Sequence, residues 1–410
     1  MLKKIKDTFH AFECILADIF YGFPGKKIKV IGVTGTDGKT TTSHLIYHIL
    51  SQAGKKTSLI SSVYADIGGA LSETGFHVTT PRPWTVRSYL KKAVDAGSEF
   101  FVLETTSHAL EQNRVWGILF SYGVITNITH EHLYHHGSFD HYVDIKSELL
   151  LRSDKRLINK DAQVYSELCN ILKRYSKSFS TYSVHDIADF TWSKDIKTSL
   201  PGEYNQENIM AAYGVCSLIG IDRAKILKGI STFSPPIGRF EIAYNGNFTV
   251  IIDFAHTPNS LEKVLQTIKK DIKPPARLIH VFGSASQRDD SKRPLMGEAS
   301  ARYADIVILT EEDYRKENIN HICSQIAIGL EKNMFKKVEH LQSGKTHIYA
   351  VVPNREEAIN RAVELAQKND VIVLTGKSHE KSLNRNGVEY PWDEFKALNE
   401  AIHTKKNAHI

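Results

Sequence analysis

Short apolar runs alternate with longer stretches of helical periodicity along most of this chain. Strand-length runs fall near 28–33, 57–62, 100–104 and 122–126, and helical spacing covers about 41–53, 84–96 and 142–151. Parallel strands need a crossover, usually a helix, so this alternation predicts a mostly parallel sheet wrapped by helices. Residues 152–200 are polar and mixed, with room for short strands such as 190–192. Helices over about 205–219 and 222–232 follow, and Ser234-Pro235-Pro236-Ile237-Gly238 is the best linker in the chain. Beyond it the rhythm repeats, with strands near 250–253, 278–282, 306–310, 347–351 and 371–375. Helices are expected between them near 258–270, 293–303, 318–331 and 355–367. Ligands of such folds lie at the carboxyl ends of the strands, so a cleft between the two blocks is the expected site.

Ahead of the first strand, apolar residues at Ile5, Phe9, Phe12, Ile15, Leu16, Ile19 and Phe20 are broken by charges and predict an amphipathic helix. A cap docked on the first block is the expectation, and contact with a membrane surface the alternative. The segment is too interrupted for a signal peptide, and no run reaches transmembrane length. A length of 410 residues argues two or three domains. The formal charge of +6 is spread out, and its densest runs, Lys3-Lys4 and Lys405-Lys406, are too short to argue for nucleic acid. Anionic small substrates account for the balance as well. Cys14, Cys169, Cys216 and Cys323 are far apart and form no metal knuckle or disulfide framework, which fits a reducing, cytoplasmic compartment.

The most informative stretch is Val33-Thr34-Gly35-Thr36-Asp37-Gly38-Lys39-Thr40-Thr41, between the first strand and the first helix of the block. A glycine turn opening a helix aims backbone N–H groups and the helix N-terminus at an anion. Lys39 is placed to reach outer phosphates and the Thr40 hydroxyl to hold Mg²⁺. The spacing departs from the standard Walker form, because Val33 stands where the first glycine belongs. Glu104 closes the strand at 100–104, where a carboxylate facing a phosphate loop suits Mg²⁺. The run Thr129-His130-Glu131-His132-Leu133-Tyr134-His135-His136 is rich in histidine. By residue type alone it reads as a Zn²⁺ or Mn²⁺ site, or as a solvated polar loop. Lys146 lies beside the apolar face of Tyr142, Ile145, Leu149 and Leu150, so it needs a partner or must snorkel past the stripe.

The loop Gly-Thr-Asp-Gly-Lys-Thr-Thr resembles the ATP loop of the Mur ligase and folylpolyglutamate synthetase superfamily, and the resemblance runs from about Ile28 to Ala401. It is strongest to the muramoyl-peptide synthetases that add the third residue. The implied architecture is α/β: a P-loop-containing central ATPase domain with a mostly parallel sheet (28–234) and a C-terminal Rossmann-like ligase domain (238–410), with a cap helix and turn (1–27) ahead of them. The implied nucleotide residues are Gly35, Thr36, Asp37, Gly38, Lys39, Thr40, Thr41, Asn205, Asn208, Arg239, Asp253 and His256. Thr40, Glu104, His132 and Lys146 match metal-site positions, Lys146 as a CO₂-derived carbamate; Lys39, Glu104, His132 and Lys146 carry the catalytic roles. The family's Asp-His-Leu-Asp-x-His-Gly stands here as Glu131 to Gly137, with Tyr134 for the second aspartate. Thr79, Thr80, Thr106, Ser107 and Arg114 match peptide-contacting positions, with Arg82 where an acid often follows the proline.

Three stretches match the amino-acid site: Arg288 to Gly297; Glu312-Asp313-Tyr314-Arg315 in place of Asp-Asn-Pro-Arg; and Gly376-Lys377-Ser378-His379-Glu380 for Gly-Lys-Gly-His-Glu. In members using meso-diaminopimelate, equivalents of Arg288, Arg315, Gly376 and Glu380 hold its far zwitterionic end. Arginine forks suit a carboxylate and Glu380 an ammonium. The implied reaction is ATP- and Mg²⁺-dependent amide formation through an acyl phosphate, joining an amino acid to a muramoyl-peptide in peptidoglycan synthesis. The expected partners are these small molecules alone, with no nucleic acid, and the expected state is a monomer. Muramoyl-peptide ligases carry a UDP-holding N-terminal domain of order one hundred residues. The segment before Gly35 has room for a helix and a turn only, so a partner protein supplying UDP binding stays open. A γ-glutamyl ligase of the folylpolyglutamate type and a non-catalytic nucleotide-binding subunit are the alternatives.

Overall fold

The computed structural model describes residues 2–72, 79–129, 137–287, 289–342 and 344–407, with side chains from residue 9 onward. The chain divides into two compact units, Met1–Pro236 and Ile237–Ile410. Among the described residues, the sheet of the first unit has strand order β4-β3-β2-β5-β1-β6-β7-β8-β9. Its strands are β1 Lys29–Thr34, β2 Thr57–Ile60, β3 Ala65–Ile67, β4 Ala70–Ser72, β5 Phe100–Glu104, β6 Phe120–Ile125, β7 Ser153–Asn159, β8 Ser180–Ser183 and β9 Phe190–Thr191. The helices are α1 Leu2–Tyr21, α2 Lys39–Gln52, α3 Pro83–Asp95, α4 Ser107–Glu111, α5 Phe139–Leu151, α6 Tyr165–Arg174, α7 Glu203–Ile219 and α8 Arg223–Thr232.

β1 lies between β5 and β6 and is parallel to both, with Val33 opposite Glu104 and Thr34 opposite Ile125. Three strands therefore end side by side, which is where a doubly wound sheet presents its ligand site. β1 is apolar on both faces because both are covered. Ile31 and Val33 face a core with Leu45, Ile46 and Ile49 of α2 and Ile209, Met210 and Val215 of α7. Val30 faces another with Val86 and Leu90 of α3 and Leu149 of α5. One face of α1 docks on this unit: Cys14 and Ala17 are fully buried, His10 Nδ1 is 2.9 Å from the Gln112 carbonyl, and Asp18 pairs with Arg87.

The second unit holds β10 Glu241–Asn245, β11 Thr249–Asp253, β12 Leu278–Phe282, β13 Ile306–Leu309, β14 Lys336–Lys337, β15 Ile348–Val351 and β16 Val371–Thr375 in one sheet, and a hairpin of β17 Ser382–Arg385 and β18 Val388–Pro391. The sheet order is β10-β11-β16-β12-β13-β15-β14, and Asp253 and Thr375 end neighbouring parallel strands. Its helices are α9 Pro258–Lys269, α10 Lys292–Ala301, α11 Ile319–Lys332, α12 Arg355–Leu365 and α13 Glu394–Asn407.

Two differences from the sequence reading have clear causes. The polar stretch at 152–200 is regular α/β, with β7, α6, β8 and β9 continuing the sheet in parallel. β7 reads as polar because Asp154 and Lys155 are exposed and the Arg156 guanidinium is spent on the carbonyls of Leu150 and Ser178. α2 begins at Lys39 rather than near 41, because Gly38 turns the chain directly into it.

Candidate functional site

The loop between β1 and α2 excludes side chains at its two glycines. Gly38 has φ of +79°, and a Cβ there would lie 2.1 Å from Asn208 Oδ1; a Cβ on Gly35 would lie 1.9 Å from Thr126 Oγ1. Gly38 caps α2 and has no side chain to accept from the first-turn N–H groups, the arrangement that suits a phosphate. The residues following β6 brace the loop. Thr36 N donates to the Asn127 carbonyl at 2.8 Å, Asp37 N donates to Asn127 Oδ1 at 3.0 Å, and Thr126 Oγ1 donates to the Asp37 carbonyl at 2.7 Å.

Lys39 Nζ curls back to donate to the Thr36 carbonyl at 2.7 Å. Lys146, 1 % exposed on α5, donates to the Gly35 carbonyl at 2.6 Å and lies 4.7 Å from the Tyr142 ring centroid. The lysine that stood beside an apolar stripe in the sequence is thus buried against the loop, with a carbonyl and an aromatic face on its ammonium. Glu104 is 1 % exposed; Thr40 Oγ1 donates to Oε1 at 3.0 Å and Ser62 N to Oε2 at 2.9 Å. A hydroxyl and a carboxylate meeting beside the loop are hard oxygen donors, and this set fits Mg²⁺. His132 and the rest of 130–136 lie outside the described residues, as does Arg288. Among the described residues no three His, Cys, Asp or Glu side chains gather as a metal cluster.

Around Glu104 the structure collects the predicted peptide-contacting residues. Thr80 Oγ1 donates to the Glu104 carbonyl at 3.0 Å and accepts from Thr106 N at 3.0 Å. Thr106 caps α4 by accepting from Ala109 N, and Ser107 opens that helix. Arg114 Nη1 donates to the Thr80 carbonyl at 3.1 Å; burial, with Arg82 nearby, pulls the Arg114 pKa down. Thr79 adjoins this group and is half-buried. Asn205 and Asn208 lie one turn apart on α7, Asn208 Nδ2 donating to Asn205 Oδ1 at 3.2 Å, and Thr42 Oγ1 of α2 donates to Asn208 Oδ1 at 3.4 Å.

In the second unit Arg239, Asp253 and His256 converge at the end of β11. The Arg239 guanidinium lies 4.5 Å from the Phe254 ring centroid and 3.3 Å from His379 Nδ1. Asp253 accepts from Phe240 N and Ala255 N, each at 2.7 Å. Burial raises the Asp253 pKa, against the pull of Arg239. Thr257, not Asp253, caps the helix that follows, in a capping box with Ser260. His256 Nδ1 lies 2.9 Å from the Phe254 carbonyl, and Lys292 Nζ donates to the His256 carbonyl at 2.8 Å.

A second group lies beyond β16 and β13. Arg315, at φ +49°, donates from Nη1 to the Ser286 carbonyl at 2.9 Å. Glu380 accepts from Lys377 Nζ at 2.6 Å, and Lys377 also donates to Asp313 Oδ1 at 2.9 Å. The carboxylate expected to meet an incoming ammonium therefore already holds one of the protein's own. A Cβ on Gly376 would lie 3.0 Å from Glu312 Oε2. Sequence reasoning missed Ser62, Thr126, Asn127 and Tyr142 as contributors, and gave Asp313 and Lys377 no role of their own within the matched stretches. Thr126 and Asn127 carried a readable signal, since they follow a strand end as Thr105 follows Glu104. The others are defined by distant segments.

A glycine-pinched phosphate loop with an oxygen-donor pair beside it, on a mostly parallel sheet followed by a second α/β unit, defines the class: a phosphate-loop nucleotide-binding protein with a further α/β unit. Residues 33–216 match the Mur ligase middle domain and residues 238–378 the Mur ligase, glutamate ligase domain. The UDP-N-acetylmuramoyl-L-alanyl-D-glutamate–2,6-diaminopimelate ligase 1 of Clostridium acetobutylicum is 34% identical, over 97% of this chain and 83% of its own length. The Aquifex aeolicus ligase of the same name is 34% identical over 93% of this chain and 79% of its own length. A solved structure of a ligase with that name aligns at 27% identity and TM-score 0.59, over 92% of this chain and 79% of that one. A Mycobacterium tuberculosis folylpolyglutamate synthase aligns at TM-score 0.70 and 16% identity, over 90% of this chain and 93% of that one, which shows a shared fold. The chain belongs to the Mur ligase family. It is accordingly an ATP-dependent, ADP-forming acid–amino-acid ligase of a Mg²⁺-requiring family.

Proposed function

We propose that this ligase adds 2,6-diaminopimelate to a muramoyl-L-alanyl-D-glutamate acceptor in the cytoplasm, as a step of peptidoglycan synthesis. The observation that carries the catalytic part is the gathering of Lys39, Thr40, Glu104 and Lys146 about one glycine loop. The acceptor carboxylate attacks the γ-phosphorus of ATP, ADP leaves, and an acyl phosphate forms. The amine attacks the acyl carbon, and the tetrahedral species loses phosphate and a proton to give the amide. Gly35 to Thr41 cradle the phosphates, and Lys39, on swinging from the Thr36 carbonyl, neutralises charge on the transferred group. Asn205, Asn208, Arg239, Asp253 and His256 are assigned to the nucleotide. Thr79, Thr80, Thr106, Ser107 and Arg114 are assigned to the acceptor peptide. Thr40, Glu104, His132 and Lys146 as its carbamate would hold Mg²⁺, which supplies further charge neutralisation at the phosphoryl group. The position of Lys146 supports the carbamate reading: it is buried against the phosphate loop, with Nζ on the Gly35 carbonyl. Arg288 and Arg315 are assigned to the far carboxylate of the amino acid and Glu380 to its far ammonium, beside Gly376. The relatives named for diaminopimelate support this choice of substrate.

Phosphate release from Mg-ATP, with product masses, tests the proposal on a panel pairing UDP-N-acetylmuramoyl-L-alanyl-D-glutamate with diaminopimelate or lysine, and a folate with glutamate. Turnover confined to the muramoyl acceptor and diaminopimelate is expected. Turnover with folate and glutamate alone replaces the reading with a γ-glutamyl ligase.

A further inference from the structure

α1 has two apolar faces, and among the described side chains the docked one buries His10, Cys14 and Ala17, with Asp18 on Arg87 beside them. Between Phe9 and Phe20 every exposed residue is apolar: Phe9 58%, Phe12 56%, Ile15 39%, Leu16 41%, Ile19 60% and Phe20 72%. This stripe continues at its end into Phe23, and the Phe20 ring lies 5.7 Å from that of Trp84, which is itself exposed on α3. Asp18 is tied through Arg87 to the Trp116 carbonyl, so exposed Trp116 flanks the same helix. A surface helix ordinarily turns charged or polar residues outward, and an apolar patch of this extent marks an interaction surface.

Charge decides what covers it. Residues 1–29 contain Lys3, Lys4, Lys6, Lys26, Lys27 and Lys29 against Asp7, Glu13 and Asp18, and Arg87 already engages Asp18. The lysines bracket the stripe at both ends. Pairing with a second copy in antiparallel sense would set Lys3, Lys4 and Lys6 beside the copy's second cluster, and parallel pairing would stack each cluster on its like. Both arrangements oppose like charges. An anionic bilayer complements both ends at once and accepts the phenylalanine and tryptophan rings at its interface. We propose that the outward face of α1, with Trp84 and Trp116, docks the enzyme in the plane of an anionic phospholipid membrane surface. No helix among the described residues is long and apolar enough to cross a membrane, so the contact is peripheral.

Flotation of the full chain with vesicles tests this. The protein is expected to float with phosphatidylcholine vesicles containing about 30% phosphatidylglycerol, not with phosphatidylcholine alone, and to be released at about 0.5 M salt. The double variant Phe12→Glu/Ile19→Glu is expected to lose the vesicle partition by about tenfold or more while its melting temperature and ATP-dependent phosphate release stay unchanged. Failure to float with the anionic vesicles, equal flotation with neutral ones, or unaltered binding of the double variant would overturn the proposal. So would sedimentation velocity that finds a dimer which the same variant converts to monomer, since the stripe would then be a contact between copies.

Discussion

Single side chains in this protein are interpretable mainly through what they touch. Lys146 is the sharpest case: its contact with the Gly35 carbonyl at 2.6 Å ties α5 to the phosphate loop, and the side chain is almost fully buried. Lys146→Ala is expected to lower kcat by about a hundredfold or more, consistent with loss of one charge-stabilising group, while circular dichroism stays native. Retained turnover would remove Lys146 from the metal site. Arg315→Ala is expected to raise the KM for the amino acid about tenfold or more with little change in the KM for ATP, the signature of lost ground-state binding at one substrate. Equal effects on both constants would make Arg315 a loop brace held on the Ser286 carbonyl. His280 carries a stability prediction instead. Its ring is fully buried, 2.8 Å from Ser300 Oγ and 3.0 Å from Thr375 Oγ1, and burial, with Arg355 nearby, pushes its pKa down to about 3. The unfolded chain, with an ordinary histidine, binds more protons between pH 6.5 and about 3. Stability from this group is therefore complete above pH 6.5 and falls as pH drops, by about 2 kcal/mol at pH 5. Urea melts of wild type and His280→Asn at pH 7 and pH 5 measure it, and a pH slope unchanged in the variant would refute the assignment.

At the scale of elements, the second unit is pinned by a buried ion pair. Arg355, at the start of α12, and Glu394, at the start of α13, are both fully buried, with Arg355 Nε donating to Glu394 Oε2 at 2.8 Å. Arg355 Nη2 also donates to the carbonyl of Thr375, which ends β16, at 2.7 Å. Two helices and a strand end thus share one guanidinium. Arg355→Ala leaves Glu394 in the interior without its countercharge, with the Trp392 indole N–H still donating to it at 2.8 Å, and a loss of about 3–5 kcal/mol is expected from chemical denaturation. A loss below about 1 kcal/mol would mean that Glu394 finds another partner or water. Both residues sit in unremarkable polar contexts in the sequence, so the pair was illegible there. The strand β1 was legible because an apolar run buried on both faces has no polar position to disguise it. β7 was not, because Asp154 and Lys155 are exposed on it and the Arg156 guanidinium is satisfied by the carbonyls of Leu150 and Ser178.

For the whole molecule, the expected consequence of the phosphate loop is linkage between ligand and stability. Mg-ATP at about 100 times its Kd should stabilise the native state by about 2.7 kcal/mol, read as a rise in Tm. Lys39→Ala should reduce that rise, and an undiminished one would place the nucleotide elsewhere. Legible in the chain alone were the α/β alternation, the break near 234–238 and the glycine loop, and most of the residues proposed for the site could be named from it. These are local facts, written in apolar period, in backbone-permissive glycines and in spacing within one turn or strand end. Tertiary structure decided which distant residues complete the site: Asn127 on Asp37, Asn208 on Gly38, Lys146 on Gly35, and Lys377 between Asp313 and Glu380. It also decided that α1 spends one apolar face on the fold and leaves the other outward. Periodicity marks a residue as apolar but not what it will meet, because partnership depends on strand order, and that is settled only when the sheet closes around β1.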